Sequence, residues 1–301
     1  MASQNTAAPE PLRGNLLTVQ GISLKGSFVL QTVVLLVLLS LLYIRIVGNL
    51  INQWFGDPNY SHGFFVPICA ALLVWQSRKT WLAIPLKPSP YGLFLVLPAL
   101  CLLVVGTLGA ELFLPRVSLW LLLGGLVVYC AGWSMFNALK ASWLALLLMI
   151  PLPAIIFNEF AFPLQLLATQ LACSLLDLLH VPVLREGNII ILPSMSLDIV
   201  EACSGLRSLM SLITVATFYG LFFERKVWMR CLLVLFAIPV AVIVNSLRIV
   251  FSALLAQYVS HRLADGFFHA FSGFLLFLLS FAALAAFHTL GTRLRQKRVS
   301  I

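Results

Sequence analysis

Residues 159–181 read EFAFPLQLLATQLACSLLDLLHV, and whether this stretch crosses a bilayer decides the topology of everything after it. Wound at about 100° per residue, Gln165, Thr169, Gln170, Cys173, Ser174, Asp177 and His180 fall within one half of a helix, and leucines dominate the other half. A helix divided in this way is expected to lie in the outer interface or to fold back as a re-entrant piece. The alternative is an additional span whose polar face lines a bundle.

The rest of the chain sets the medium. Of 301 residues 61% are apolar and 10% charged, and the mean hydropathy is +1.03, which excludes a soluble domain with a polar exterior. Apolar runs at 28–47, 64–77, 91–110, 117–136, 141–157, 205–223, 229–247 and 268–290 give eight expected spans, because about 20 apolar residues cross about 30 Å of hydrocarbon as a helix. The alternating pattern of membrane barrels is absent. The expected fold is therefore all-α: a polytopic bundle of about eight transmembrane helices, an outer interfacial helix over 159–181, and a short extracytoplasmic hairpin or loop. Residues 182–200 supply that loop, since Gly187-Asn188 separates two β-favouring runs and Pro193-Ser194 breaks the second. The domain reading is a cytoplasmic tail over 1–27, one integral membrane domain over 28–291 and a basic cytoplasmic tail over 292–301.

Charge fixes the expected orientation. With the N-terminus inside, 13 of the 19 basic residues fall on inner segments against only Glu10 and Glu224, while eight acidic residues fall outside. Both termini are then cytoplasmic, and the first helix serves as an uncleaved anchor. The net charge of +9 reads as these orientation signals and not as a nucleic-acid surface. Six cysteines at irregular spacing, with no CxxC pair, make neither a disulfide framework nor a zinc site. The five histidines form no HExxH, so no metal is expected.

The chemistry-bearing residues gather at helix ends. Cys203, in Glu201-Ala-Cys-Ser-Gly-Leu-Arg207, begins the sixth expected span, Arg248 ends the seventh and His269 begins the eighth, so all three arrive at the outer surface. A thiol becomes a nucleophile as its thiolate, which a helix N-terminus, Arg207 four residues on and a histidine partner all favour. His269 is suited to act as base toward the thiol and acid toward a leaving amine. Arg248, in Asn245-Ser-Leu-Arg, is a fixed cation suited to an oxyanion or a carboxylate. Together they suggest acyl transfer.

Plainer readings stand beside these. Arg248 can snorkel from its helix end, and His269 can be an interfacial histidine. His62, in Tyr60-Ser-His-Gly63, either lines the same outer pocket or caps the second span, and Ser204, Ser208 and Ser211 form a small-residue stripe of the kind that usually packs helices.

Taken together, Tyr60-Ser-His-Gly, Arg185-Glu-Gly-Asn, Glu201-Ala-Cys-Ser-Gly-Leu-Arg, Asn245-Ser-Leu-Arg and Phe268-His-Ala-Phe-Ser-Gly resemble the exosortases, bacterial membrane cysteine transpeptidases that process proteins with PEP-CTERM tails. The resemblance implies catalysis by Cys203, Arg248 and His269, with Arg207, His62 and Asn245 as substrate-binding residues. It also implies no cofactor, membrane-anchored PEP-CTERM proteins as substrates, and cleavage at the outer face of the inner membrane through a thioester on Cys203. The rival expectation is a non-enzymatic transporter, or an assembly factor for exported polysaccharide, whose outer pocket binds without cutting.

Overall fold

The computed structural model describes residues 16–193, 196–198, 205–259 and 267–299. Cys203 lies outside them, and of His269 only the helical backbone is described. The chain divides into two compact units, residues 1–48 and 49–301. The helices are α1 Leu16–Gly56, α2 Phe65–Gln76, α3 Leu93–Leu108, α4 Phe113–Ala131, α5 Trp133–Ala145, α6 Ala154–Leu178, α7 Gly205–Phe223, α8 Val227–Tyr258 and α9 Phe267–Val299.

Among the described residues six stretches are long and apolar enough to cross a membrane: Val33–Gly56, Pro90–Leu108, Phe113–Ala131, Ala154–Leu178, Val227–Tyr258 and Gly273–Arg293. The protein is a polytopic helical membrane protein, as hydrocarbon demands of a chain that must satisfy its own backbone. Within α7, at the expected span 205–223, Arg207–Phe223 is a shorter apolar stretch. Of the other expected spans, 64–77 forms a short helix, and 141–157 is split between the end of α5, a 3-10 turn, a break and the start of α6. α2 has 12 residues and stops at Ser77, whose hydroxyl donates to the carbonyls of Leu73 and Val74. α5 has 13 residues, tightens into the 3-10 turn Leu146–Met149, and breaks before Pro151 and Pro153, which lack the N–H a helix needs.

The decisive stretch forms a longer helix than 159–181. α6 starts at Ala154, so that apolar Ala154-Ile-Ile-Phe157 extends it to 25 residues. Its polar arc splits: Gln165, Thr169 and Cys173 are buried, whereas Gln170, Ser174 and Asp177 stay exposed. By length and composition α6 is one of the six candidate spans.

Close packing has local causes. At Gly125 of α4 a Cβ would come 2.8 Å from Val96 Cγ2, so glycine is what lets α3 approach. Trp120 and Trp143 stack at 3.9 Å, and each indole N–H donates to the other's carbonyl, tying α4 to α5. Leu209, Leu212, Ala216, Ala237, Ala241 and Leu284 form a core shared by α7, α8 and α9.

Between α6 and α7 lies an antiparallel sheet, β1 Leu184–Glu186, β2 Ile189–Ile191 and β3 Ser196–Asp198, in the order β1-β2-β3. The hairpin turns at Gly187-Asn188, with Gly187 at φ 63°. Glycine adopts this left-handed geometry without a Cβ penalty. The third strand is an addition to the expected hairpin. Ile190 is fully buried in a cluster with Val181, Leu192, Ile249 and Ala253, which seats the sheet on the helices. A buried hydrogen bond from Asn188 Nδ2 to Gln165 Oε1, 3.3 Å, fastens the turn to α6.

Candidate active site

A cavity of 660 Å³ opens where the N-terminal half of α7, the last third of α8, the beginning of α9 and the segment before α2 meet. The convergence follows from antiparallel connection. α7 and α9 run away from this end, and α8 runs toward it, so residues far apart in sequence share one rim.

The segment before α2 is the 3-10 helix Pro58–Phe64, held in place by contacts of its own residues and of the preceding Trp54 and Asp57. Asp57 caps it by accepting the Asn59 N–H at 2.9 Å, and proline at its first position presets the backbone. The Tyr60 hydroxyl donates to the Leu152 carbonyl at 3.1 Å, and the Trp54 indole donates to the Met149 carbonyl at 3.0 Å. These carbonyls are available because the chain leaves helical geometry between Met149 and Pro153. Gly63 faces the Trp54 indole so closely that any Cβ there would overlap it.

This docking carries Ser61 and His62 to the cavity wall. His62 is 7% exposed, and its Nδ1 is buried without a hydrogen-bond partner. Burial pushes its pKa below the ordinary histidine value, partly opposed by the backbone at Leu148 and Asn59. The ring is therefore neutral at physiological pH.

On α7, Arg207, Ser208, Ser211, Thr214 and Val215 line the cavity along one face. Arg207 is exposed and pairs with no described residue. Arg248 lines the opposite wall from α8, beside Gly273 of α9, where a Cβ would lie 3.7 Å from Nη2. No acidic residue is among the described lining residues. Among the described lining residues the charged groups are the guanidiniums of Arg207 and Arg248, which give this wall a positive potential.

Of the expected site residues, His62, Arg207 and Arg248 share this cavity. Asn245 sits one turn before Arg248, is 5% exposed with an unpartnered Oδ1, and lines a small adjoining void with Arg248, Ser208 and Gly273. Cys203 precedes Arg207 by four residues and His269 precedes Gly273 by four, but neither side chain is among those described. Ser208 and Ser211 line the cavity in place of the packing seam expected of them. The continuation of their spacing to Thr214 was the available signal. Phe65 and Phe277, which complete the apolar wall, carried none. Among the described residues no cluster of three or more His, Cys, Asp or Glu is placed to hold a metal.

A family model for transmembrane exosortases matches residues 54–286. No curated protein and no solved structure matches the chain significantly.

Proposed function

The chain belongs to the transmembrane exosortase family, and from that premise we propose that it cleaves the C-terminal tails of membrane-anchored substrate proteins by covalent cysteine catalysis. Family membership implies processing of PEP-CTERM proteins. The finer reading assigns Cys203 as nucleophile, His269 as acid and base, and Arg248 as the cation facing developing negative charge.

In this mechanism the Cys203 thiolate attacks the scissile carbonyl, and the carbonyl oxygen becomes an oxyanion opposite Arg248. Collapse of that intermediate breaks the C–N bond, and the leaving amine takes its proton from protonated His269. A thioester joins the substrate to sulfur. An amine, hydroxyl or water then attacks the thioester, His269 accepts the attacker's proton, and the thiolate departs. Arg207 and neutral His62 bind the flanking peptide, Arg207 by pairing with the glutamate of a Pro-Glu-Pro motif. Cleavage takes place at the outer face of the inner membrane.

One observation supports this reading above the others. A single cavity collects Arg207, Arg248 and Gly273 from three helices, and the two unseen reactive groups belong to residues four positions before Arg207 and Gly273. The test is tail processing in cells carrying Cys203→Ala or Cys203→Ser at normal membrane levels. Loss of processing is expected. Unchanged processing by either folded variant removes the enzyme reading and leaves a binding or transport role.

A further inference from the structure

At the other end of α7 the turn Glu224-Arg-Lys226 into α8 borders a second cavity, of 500 Å³. Its wall is half apolar, with Leu73, Ala138 and Leu221, and half polar, with Gln76, Arg225 and Arg230. Arg230 is pre-positioned. Its stem crosses α7 at Gly220, where even a Cβ would sit 3.4 Å from the arginine Cα and Cγ. Its Nε donates to the Glu224 carbonyl at 2.8 Å, and no other described group pairs with the guanidinium.

Glu224, the one carboxylate among the described lining residues, is engaged elsewhere. Glu224 Oε1 accepts the backbone N–H groups of Arg225 and Lys226 at 2.8 and 3.0 Å. Its Oε2 faces His288 Nε2 at 3.4 Å, and His288 Nδ1 meets the Tyr219 hydroxyl at 3.2 Å. Arg225, Lys226 and Arg230 therefore leave the turn with a positive excess. Beside it Phe223, Val227 and Trp228 are 68%, 68% and 57% exposed, an apolar and aromatic surface of the kind that meets lipid near the headgroups.

We propose that this cavity binds the phosphate headgroup of an anionic phospholipid. Arg230 and Arg225 clamp the phosphate oxygens, and the acyl chains follow Phe223 and Trp228. A phosphate with acyl chains attached satisfies both halves of the wall, whereas free phosphate leaves the apolar half unmet. Basic pockets between membrane helices take acidic lipids for this reason, and the planar arginine fork suits phosphate oxygens.

The test uses the full-length protein in detergent, titrated with phosphatidylglycerol, phosphatidylcholine or inorganic phosphate and read by native mass spectrometry and thermal shift. Saturable retention of phosphatidylglycerol is expected, with at least tenfold weaker retention in Arg225→Gln/Arg230→Gln and little change in Lys87→Gln, an exposed lysine outside the cavity. Arg225→Gln alone, whose side chain is exposed, reads the site even if the Arg230 variant folds poorly, and Arg230→Lys should recover part of the binding. Equal retention of phosphatidylcholine, full competition by inorganic phosphate, or the same loss in Lys87→Gln overturns the proposal. These outcomes are independent of tail processing.

Discussion

The two ends of α7 use the same materials to different effect. Near its start, Arg207 and Arg248 face a cavity with no acidic side chain among its described lining residues, and a buried histidine has an unmet nitrogen. Near its end, Arg225, Lys226 and Arg230 surround a buried glutamate that is already bonded to two backbone N–H groups. The first arrangement borders open space, which suits transient chemistry. The second is internally bonded and suits structure and lasting contact.

Variants at the two ends should therefore fail in different ways. The largest effect is expected from Cys203→Ala, with processing reduced by about 10³-fold or more and an unchanged melting temperature. Arg248→Lys keeps the charge but removes the planar fork, and processing measured in purified reconstitution should fall about 100-fold with the fold intact. Full activity would show that Arg248 merely reaches toward the membrane surface. At the opposite end Glu224→Ala should invert the pattern. It strips the acceptor from two backbone donors and should lower unfolding stability by about 1–3 kcal/mol, read by thermal denaturation in detergent. A Glu224→Ala protein of native stability would erase the contrast between the ends.

The smallest effect is a pH slope. Buried His62 resists protonation, whereas the unfolded chain takes up that proton below about pH 6.5. Stability should therefore fall as pH drops from about 6.5 through the lowered native pKa. His62→Gln should flatten this part of the slope in unfolding scans from pH 7 downward. An unaltered slope would mean that His62 is not held neutral.

Much of the fold was legible because lipid imposes a simple grammar of long apolar helices. The spans near α1, α3, α4, α8 and α9 follow directly from hydropathy, and the turn at Gly187-Asn188 follows from residue type. α6 was harder to read because periodicity reports that a polar face exists without saying what it meets. Gln165 meets Asn188, a residue 23 positions away, and no helical wheel contains that partner. Ser208 and Ser211 escaped for a related reason. Small residues spaced along a helix read alike whether a second helix or an open cavity lies opposite. His62 was open between capping and lining, and its side chain reached the cavity through Trp54, Tyr60 and the break at Met149–Pro153.

Sequence alone determined the medium, the helical class, and the kinds of chemistry available, because composition and local spacing are properties of the chain itself. Tertiary structure alone decided which cations face an open space and which are balanced, since charge compensation depends on neighbours that sequence distance does not encode. Arg207 and Arg230 are the same residue type near opposite ends of paired helices. One borders a cavity without a described counter-ion, the other leans on the carbonyl of Glu224, and only the packing of α7 against α8 and α9 separates them.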